Sequence, residues 1–466
     1  MWTIAVAFAL LTPAGAADTI VLKNGRRIRA ESVVVEDDRV RFETPSGWVS
    51  LPLSLVAHIE VGTTGNDFGS PVAPFSAPAL ESSIPADDVA AATLRDGSVN
   101  REWLAQLELQ ARSAEPRAVA RAVAAHHAAA QFFLRRGELE SALAHYRRAL
   151  HFAPDEPVAL IHLAYLHLRR SEFTAALEYL DRARRRVPES PEVAKLAGWA
   201  YYGSNRLEPA VAEWRRALAL RPDPEVAAAL EKAERDLEVE SRFRGSQSRH
   251  FTLRYDGNAR PELAQDILRV LEEHFAALAA ALNYIPPEPI GVVLYTDRSF
   301  ADLTRAPAWA GAVNDGRLRV PVQGLSQVTP ELARVLRHEL AHSFLAQKTG
   351  GRCPVWLHEG VAQWFEGQRS QQARASLLAA VQRHGPLPLA ALESSWTELP
   401  AETASLAYTW SLAVVEFLIE THGLRDLERI LDRIAASATA EQAVREILRT
   451  EYAELEQQTV RFLSRR

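Results

Sequence analysis

The chain has 466 residues, of which 47% are hydrophobic and 24% are charged, an ordinary composition that excludes a mainly disordered protein. Its length predicts roughly two to four domains. The formal net charge of -6 gives no reason to expect nucleic acid as a partner, and the single cysteine, Cys353, excludes an internal disulfide and a cysteine-based zinc site.

The first residues, MWTIAVAFALLTPAGAADT, are typical of an export signal. The apolar run from Ile4 to Leu11 is too short to span a bilayer, and the small residues at 14–16 offer a cleavage site. A signal peptide over 1–17 and a periplasmic or secreted location are therefore predicted. No later run is long enough for an integral membrane segment. The alternative is an uncleaved N-terminal strand or helix in a cytosolic protein.

Short apolar runs separated by turn residues, such as Asn24-Gly25 and residues 45–47, follow over residues 18–62. Several short strands in so few residues predict a small all-β, SH3-like module, for which no chemistry is visible. Residues 63–98 are rich in glycine, proline, serine and alanine and lack periodicity, so they are predicted to be a linker.

The middle of the chain contains an internal repeat with a period of 34 residues. The recurring positions are Gly137, Ser171 and Asn205; Ala142, Ala176 and Ala210; Tyr146, Leu180 and Trp214; Ala149, Ala183 and Ala217; and Pro154, Pro188 and Pro222. Alanines let paired helices approach closely, the large residue fills the groove between them, and proline ends the second helix.

This pattern resembles the tetratricopeptide repeat. The resemblance implies an α-solenoid of three repeats over about 121–223, inside a helical domain predicted for residues 99–242. Such arrays bind a peptide or a protein partner on their concave face, and a rigid spacer without a ligand is the alternative.

From residue 246 onwards, strands come first and helices follow, which predicts an α+β domain over 246–466. Its predicted strands lie at 250–255, 289–295 and 318–322. A long amphipathic helix is predicted at 261–283, where a proline starts the helical pattern.

The sequence HELAH at residues 338–342 is an H-E-x-x-H motif, and the apolar spacing of residues 330–347 places it inside a helix. His338 and His342 are four residues apart, so both lie on one helix face and can reach the same metal ion. Glu339 points about 100° round the helix, beside the open side of such a metal, where a carboxylate could accept a proton from water.

Glycines at 350 and 351 predict the end of this helix, and the next segment, WLHEGVAQWFE at 356–366, contains Glu359. HELAH together with WLHEG resembles the gluzincin metallopeptidases, more specifically their peptidase MA-like branch, over about 246–466. The resemblance implies a thermolysin-like zincin fold with Zn²⁺ as cofactor. It implies His338, His342 and Glu359 as the metal ligands and Glu339 as the general base.

Some positions differ from thermolysin-like enzymes or extend the resemblance. Gln363 stands where those enzymes place an acidic residue that orients a histidine, and Glu366 is a candidate for that role. His358 is an alternative third ligand, although neighbours on a helix cannot point the same way. The resemblance implies that Tyr408 stabilises an oxyanion, with a packed aromatic as the alternative, and that residues 309–318 supply a substrate-binding edge strand.

Together these residues predict a zinc-dependent hydrolase that acts on a peptide or protein substrate. An endopeptidase is favoured because no G-x-M-E-N-type segment for holding a free N-terminus is found in the sequence. One alternative is a repeat-based binding or scaffold protein with a degenerate peptidase domain, but the intact Glu339 argues against it. Another is a zinc hydrolase of a non-peptide amide, such as a cell-wall substrate.

Overall fold

The computed structural model describes residues 97–256, 261–295, 316–322, 325–394 and 401–465, the short stretches 77–78 and 396, and the other helix and strand residues given below. The described residues fall into two compact units. The first unit comprises those within 1–67 and 395–405, and the second comprises those within 68–394 and 406–466.

The described residues 16–62 form short antiparallel strands. These are β1 (Ala16–Leu22), β2 (Arg27–Ala30), β3 (Val33–Glu36), β4 (Arg39–Thr44), β5 (Gly47–Pro52) and β6 (Val56–Gly62). They make two three-stranded sheets, in the orders β2-β1-β6 and β3-β4-β5. The apolar runs predicted as strands lie in these elements, whereas the SH3-like arrangement stays a prediction. Residues 1–15 of the predicted signal peptide lie outside the described residues.

The region predicted as a linker contains regular structure at its end. Helix α1 (Asp87–Thr93) is followed by a hairpin of β7 (Leu94–Arg95) and β8 (Ser98–Val99). Val89 is 2% exposed and packs in a cluster with Leu104 and Leu107. One large apolar side chain in a short alanine-rich segment gives no periodic pattern, so this helix depends on tertiary packing and was missed by the sequence prediction.

The repeat region consists of paired helices. They are α2 (Arg101–Ala111), α3 (Pro116–Arg135), α4 (Leu139–Phe152), α5 (Pro157–Arg169), α6 (Phe173–Arg186), α7 (Pro191–Gly203), α8 (Leu207–Leu220) and α9 (Pro224–Glu240). The predicted periodicity is confirmed, because α4, α6 and α8 each end two residues before one of the repeated prolines. The repeated alanines are buried, as their small size requires for close helix pairing.

The C-terminal part of the second unit contains a five-stranded sheet in the order β12-β13-β11-β10-β9. Its strands are β9 (Arg244–Gln247), β10 (Phe251–Tyr255), β11 (Ile290–Tyr295), β12 (Val313–Asn314) and β13 (Leu318–Pro321). Strands β10, β11 and β13 are parallel, and the two edge strands are antiparallel to their neighbours. All six residues of β11 are buried, as a central parallel strand requires.

One helix lies between β10 and β11 in the chain, and the others follow the sheet. They are α10 (Pro261–Leu282), α11 (Pro330–Thr349), α12 (Val355–Glu366), α13 (Arg374–His384), α14 (Ala401–His422), α15 (Leu424–Ala435), α16 (Ala440–Leu448) and α17 (Tyr452–Arg465). Strand β9 was not predicted, because its residues RGSQ carry no apolar alternation and are held by pairing with β10. Within the described part of the chain, no helix combines the length and hydrophobicity needed to cross a membrane.

Candidate metal centre

Two consecutive helices, α11 and α12, position the residues of the two motifs. The Thr329 hydroxyl caps α11 by accepting a hydrogen bond from the Leu332 amide at 3.1 Å. The helix ends at Gly350, whose φ of 61° is the left-handed conformation that favours glycine. Pro354 then precedes α12, which packs against α11. The short connection brings the second motif back beside the first.

His338, His342 and Glu359 come together, with one potential ligand atom from each within 4.8 Å of the others. The Nε2 atoms of His338 and His342 are 3.0 Å apart. Glu359 Oε2 lies 3.9 Å from His338 Nε2 and 3.7 Å from His342 Nε2. The structure therefore groups the three residues that the sequence predicted as ligands.

This donor set fits a divalent metal such as zinc. Ligand atoms at about 2.0–2.1 Å from a tetrahedral ion lie roughly 3.4 Å from one another, and the three observed distances of 3.0–3.9 Å bracket that value. Two imidazoles and one carboxylate are also ligand types that zinc accepts in sites with an open position. His342 and Glu359 are buried, so a bound ion would be largely enclosed.

The outer ring nitrogens of both histidines have partners on α12. His338 Nδ1 lies 3.0 Å from Glu366 Oε2, and His342 Nδ1 lies 2.8 Å from His358 Nδ1. The rings of His342 and His358 are stacked, with centroids 4.5 Å apart. A histidine that donates its Nδ1 proton to such a partner keeps the Nε2 lone pair for a metal. Glu366 thus occupies the orienting position proposed from the sequence, and His358 contacts a ligand instead of joining the ligand group.

Gln363 ties α12 to α14. Its side-chain amide donates to the carbonyl of Glu359 at 3.1 Å and to the carbonyl of Tyr408 at 3.0 Å. Tyr408 is half-buried. Burial raises the pKa of its hydroxyl, and the negative charges of Glu359 and Glu339 raise that pKa further. The oxyanion role of Tyr408 stays a prediction.

Burial and neighbouring charges shift the pKa values of the site residues. Burial raises the pKa of Glu339 to about 7, opposed by the charge of His338. Burial likewise raises the pKa of Glu359 to about 7. For His338, burial alone would lower the pKa, but the hydrogen bond to Glu366 and the nearby carboxylates outweigh it and raise the pKa to about 9. The buried carboxyl groups of Glu339 and Glu359 therefore hold a proton more readily than exposed ones do.

The contact between Glu366 and His338 gives a first prediction. Glu366→Ala is expected to weaken zinc affinity about 10–100-fold, because His338 loses the acceptor that orients its ring. Glu366→Gln should lose less, since its amide oxygen can still accept the bond. Competition against a chromophoric chelator measures both affinities. An unchanged affinity in Glu366→Ala would mean that Glu366 is only a partly exposed side chain near the site.

Gly360 follows Glu359 at the point where α12 crosses α14. A Cβ atom at this position would lie 2.5 Å from the carbonyl oxygen of Ser411 and 2.7 Å from Val415 Cγ2. Gly360→Ala is therefore expected to reduce the free energy of unfolding by about 1–3 kcal/mol and to weaken zinc binding, because α12 must move with Glu359. Denaturant unfolding and zinc titration measure the two effects.

Gly245→Ala is the matched control for this prediction, since nothing lies within 4 Å of the position of its Cβ atom. It should leave both stability and zinc affinity close to those of the wild type. Equal behaviour of the two alanine variants would show that α12 and α14 tolerate a methyl group between them.

Comparison with known families agrees with both sequence resemblances. Residues 272–464 match the profile of the peptidase MA superfamily, and residues 133–199 and 168–233 match the profile of the tetratricopeptide repeat. The protein thus carries a peptidase MA superfamily domain preceded by tetratricopeptide repeats. Among curated proteins no sequence matches this chain.

Solved structures with partial similarity include a mutant O-GlcNAc transferase from Thermobaculum terrenum, at 17% identity and a TM-score of 0.24, covering 51% of this chain and 46% of that chain. The TPR2AB domain of yeast Sti1, in its complex with pHSP90, has 13% identity and a TM-score of 0.24, covering 68% and 98%. A mutant two-domain M1 zinc metallopeptidase bound to L-tryptophan has 18% identity and a TM-score of 0.28, covering 47% and 51%. The chain spans about half the length of the transferase and of the metallopeptidase.

Proposed function

We propose that this protein is a zinc-dependent endopeptidase that acts by metal-activated water. The observation that carries the proposal is the group formed by His338, His342 and Glu359, whose ligand atoms lie within 4.8 Å of one another. Glu339 lies on the same helix as His338 and His342, and its carboxylate is not part of this group. A purely structural metal site has no use for such a base, which favours catalysis over a degenerate module.

A zinc ion held by these ligands would act as a Lewis acid towards water and towards a substrate carbonyl. The residues of the chain perform the other tasks. Glu339 accepts the proton from water and returns it to the leaving amine. Tyr408 donates its hydroxyl hydrogen to the oxyanion that forms. Glu366 and His358 contact the Nδ1 atoms of His338 and His342, which leaves each Nε2 available to hold a metal ion.

The proposal also includes export. A signal peptide over residues 1–17 would direct the enzyme to the periplasm or to the outside of the cell. Repeats at residues 99–242 would then place the peptidase domain relative to a protein substrate or partner.

The first test measures zinc content and hydrolysis on the same purified full-length protein. Mass-spectrometric analysis of a diverse peptide mixture would detect cleavage and distinguish internal from terminal cuts. One zinc per chain, internal cleavage, loss of cleavage on chelation and recovery with zinc would support the proposal. A folded protein that binds zinc without cutting peptides would be screened on cell-wall amides, and a folded protein without zinc would contradict the proposed centre.

A further inference from the structure

The three turns between the paired helices of the repeats face the peptidase domain. Gly137, Ser171 and Asn205 occupy equivalent positions in the repeats, and all three have a positive φ, of 73°, 57° and 61°. The Gly137 carbonyl accepts a hydrogen bond from Arg352 Nη1 at 2.7 Å. The Asn205 side chain accepts one from Arg317 Nη1 at 3.0 Å. Repetition of one turn thus creates a row of turns along one edge of the array, and both ends of that row bind the peptidase domain.

Further polar contacts reinforce this edge. Arg169, at the end of α5, donates from Nη2 to the carbonyl of Gly350 at 3.0 Å. The Thr174 amide, at the start of α6, donates to Glu288 Oε1 at 2.5 Å. The N-cap residue of α6, Glu172, makes no side-chain capping bond. The peptidase domain therefore supplies the capping acceptor that this repeat helix needs.

The last repeat helices provide a second contact, on a different face. Tyr202 lies on α7 and Asp236 lies 34 residues later on α9, so they occupy equivalent positions of the repeat. The Tyr202 hydroxyl donates to Asp236 Oδ2 at 3.0 Å. One turn further along α9 is Glu240. We call Tyr202, Asp236 and Glu240 the acidic inner site of the repeats.

Two arginines enter this acidic inner site: Arg319 in strand β13 and Arg317 directly before that strand. Arg317 donates from Nη2 to Asp236 Oδ2 at 2.7 Å and from Nη1 to Glu240 Oε2 at 2.9 Å. Arg319 binds Asp236 through two nitrogens, with distances of 2.6 Å and 2.9 Å, and also donates to the Tyr202 hydroxyl at 3.0 Å. A paired guanidinium and carboxylate in this geometry form directional, charge-assisted bonds.

The charged side chains of this contact are buried, so each of them requires a partner of opposite charge. Both arginines and both carboxylates are at most 1% exposed. Two fully buried positive side chains face two fully buried negative ones, and the partly exposed Arg254 lies 3.9 Å from Glu240 Oε2. A charge without its partner in such a place would be strongly unfavourable. The acidic inner site is therefore matched to two guanidinium groups, which here come from the same chain.

Strand β13 connects this contact to the candidate metal centre. It pairs with the edge strand β12 through Val313–Arg319 and Asn314–Leu318. Both strands pack against α11, which carries HELAH. Displacement of β13 would therefore move the sheet edge next to the site.

We propose that the repeats bind the peptidase domain of their own chain, and that the acidic inner site, by holding Arg317 and Arg319, sets the position of the sheet edge formed by β12 and β13. The C-terminal end of the array is then occupied by a segment of its own chain. The arginines and carboxylates are positioning residues. The expected effect on substrate binding rests on the proposed peptidase function, whereas the expected effect on the sheet edge does not.

The test uses the full chain with Arg319→Met, which leaves Asp236 without its two-point partner. We expect Tm to fall by about 10 °C. Amide hydrogen exchange should become faster in β12, β13 and α9, while zinc content stays at the wild-type level. The KM for a peptide substrate should rise about tenfold or more, with a smaller change in kcat, because the edge strand is displaced and the metal ligands are not.

Glu234→Gln is the matched control, since Glu234 lies on the same helix α9 but pairs with Arg215 at the protein surface. It should leave exchange in β12 and β13, the Tm and the KM almost unchanged. Unchanged exchange in β12 and β13 in Arg319→Met, despite a lower Tm, would overturn the positioning role.

A second variant covers the case in which Arg319→Met does not fold. Replacing the four charged side chains together, by Asp236→Leu, Glu240→Leu, Arg317→Met and Arg319→Met, removes the buried charges and should recover a folded protein. We expect faster exchange in β12 and β13 in this variant as well. An exchange rate in β12 and β13 equal to that of the wild type would overturn the proposal. If the wild-type protein itself cuts no peptide, only the proposed peptidase function is contradicted.

Discussion

Glu339→Gln is expected to keep the wild-type zinc content and to lower the rate of peptide hydrolysis by about 10²–10⁴-fold. Glutamine has nearly the size of glutamate but cannot accept the proton from water. Glu339 lies outside the group of candidate ligands, so the metal should remain bound. Zinc analysis and single-turnover hydrolysis on the same preparation measure the two properties separately.

Glu331→Gln is the matched control for this experiment, because Glu331 lies in the first turn of α11 and its side chain is exposed. It should retain both zinc and activity. Full activity of Glu339→Gln would rule out the role assigned to Glu339. Loss of zinc from Glu339→Gln would instead mean that Glu339 belongs to the ligand set.

The second large effect is expected for Glu359→Ala, which should lose zinc at concentrations that saturate the wild type. Removal of a direct ligand should reduce affinity by more than the 10–100-fold typical of an orienting residue. The replacement also removes a carboxylate that is 5% exposed next to two imidazoles. Zinc titration with circular dichroism as a check on folding measures this loss.

His358 provides the decisive comparison, because the sequence left it open as the third ligand. His358→Ala should still bind one zinc, about 10–100-fold more weakly, since His342 Nδ1 loses its partner at 2.8 Å. His358→Asn should recover part of the affinity, because the asparagine oxygen can accept the same bond. Complete loss of zinc in His358→Ala together with retention in Glu359→Ala would reverse the two roles.

Several features of the molecule follow from local sequence patterns. The helix that carries HELAH begins at Pro330 and ends before Gly350 because capping residues act on their own turn of backbone. The repeated prolines similarly mark the ends of α4, α6 and α8. His338 and His342 share a helix face through their spacing, and the resemblance of the second motif added Glu359.

Other features depend on residues that meet only after folding. The Nδ1 atoms of His338 and His342 contact Glu366 and His358. Gln363 binds a backbone carbonyl on α14, whereas the sequence pattern indicated only that position 363 lacks an acidic residue. The sequence assigns no role to Gly360, whereas the structure places the position of its Cβ atom 2.5 Å from the carbonyl oxygen of Ser411. Orientation within a site depends on distances of a few tenths of an ångström, which sequence spacing does not specify.

The repeats also combine features that local sequence determines with a contact that only the tertiary structure determines. Their period, helix pairing and buried alanines follow from the sequence alone, because each repeat contacts its neighbours in the chain. Their contact with the peptidase domain does not, because Arg317 and Arg319 bind a carboxylate about eighty positions away in the chain. Local backbone and packing preferences act over a few residues and leave a pattern in the sequence. The pairing of buried charges between distant segments leaves none, so only the tertiary structure identifies it.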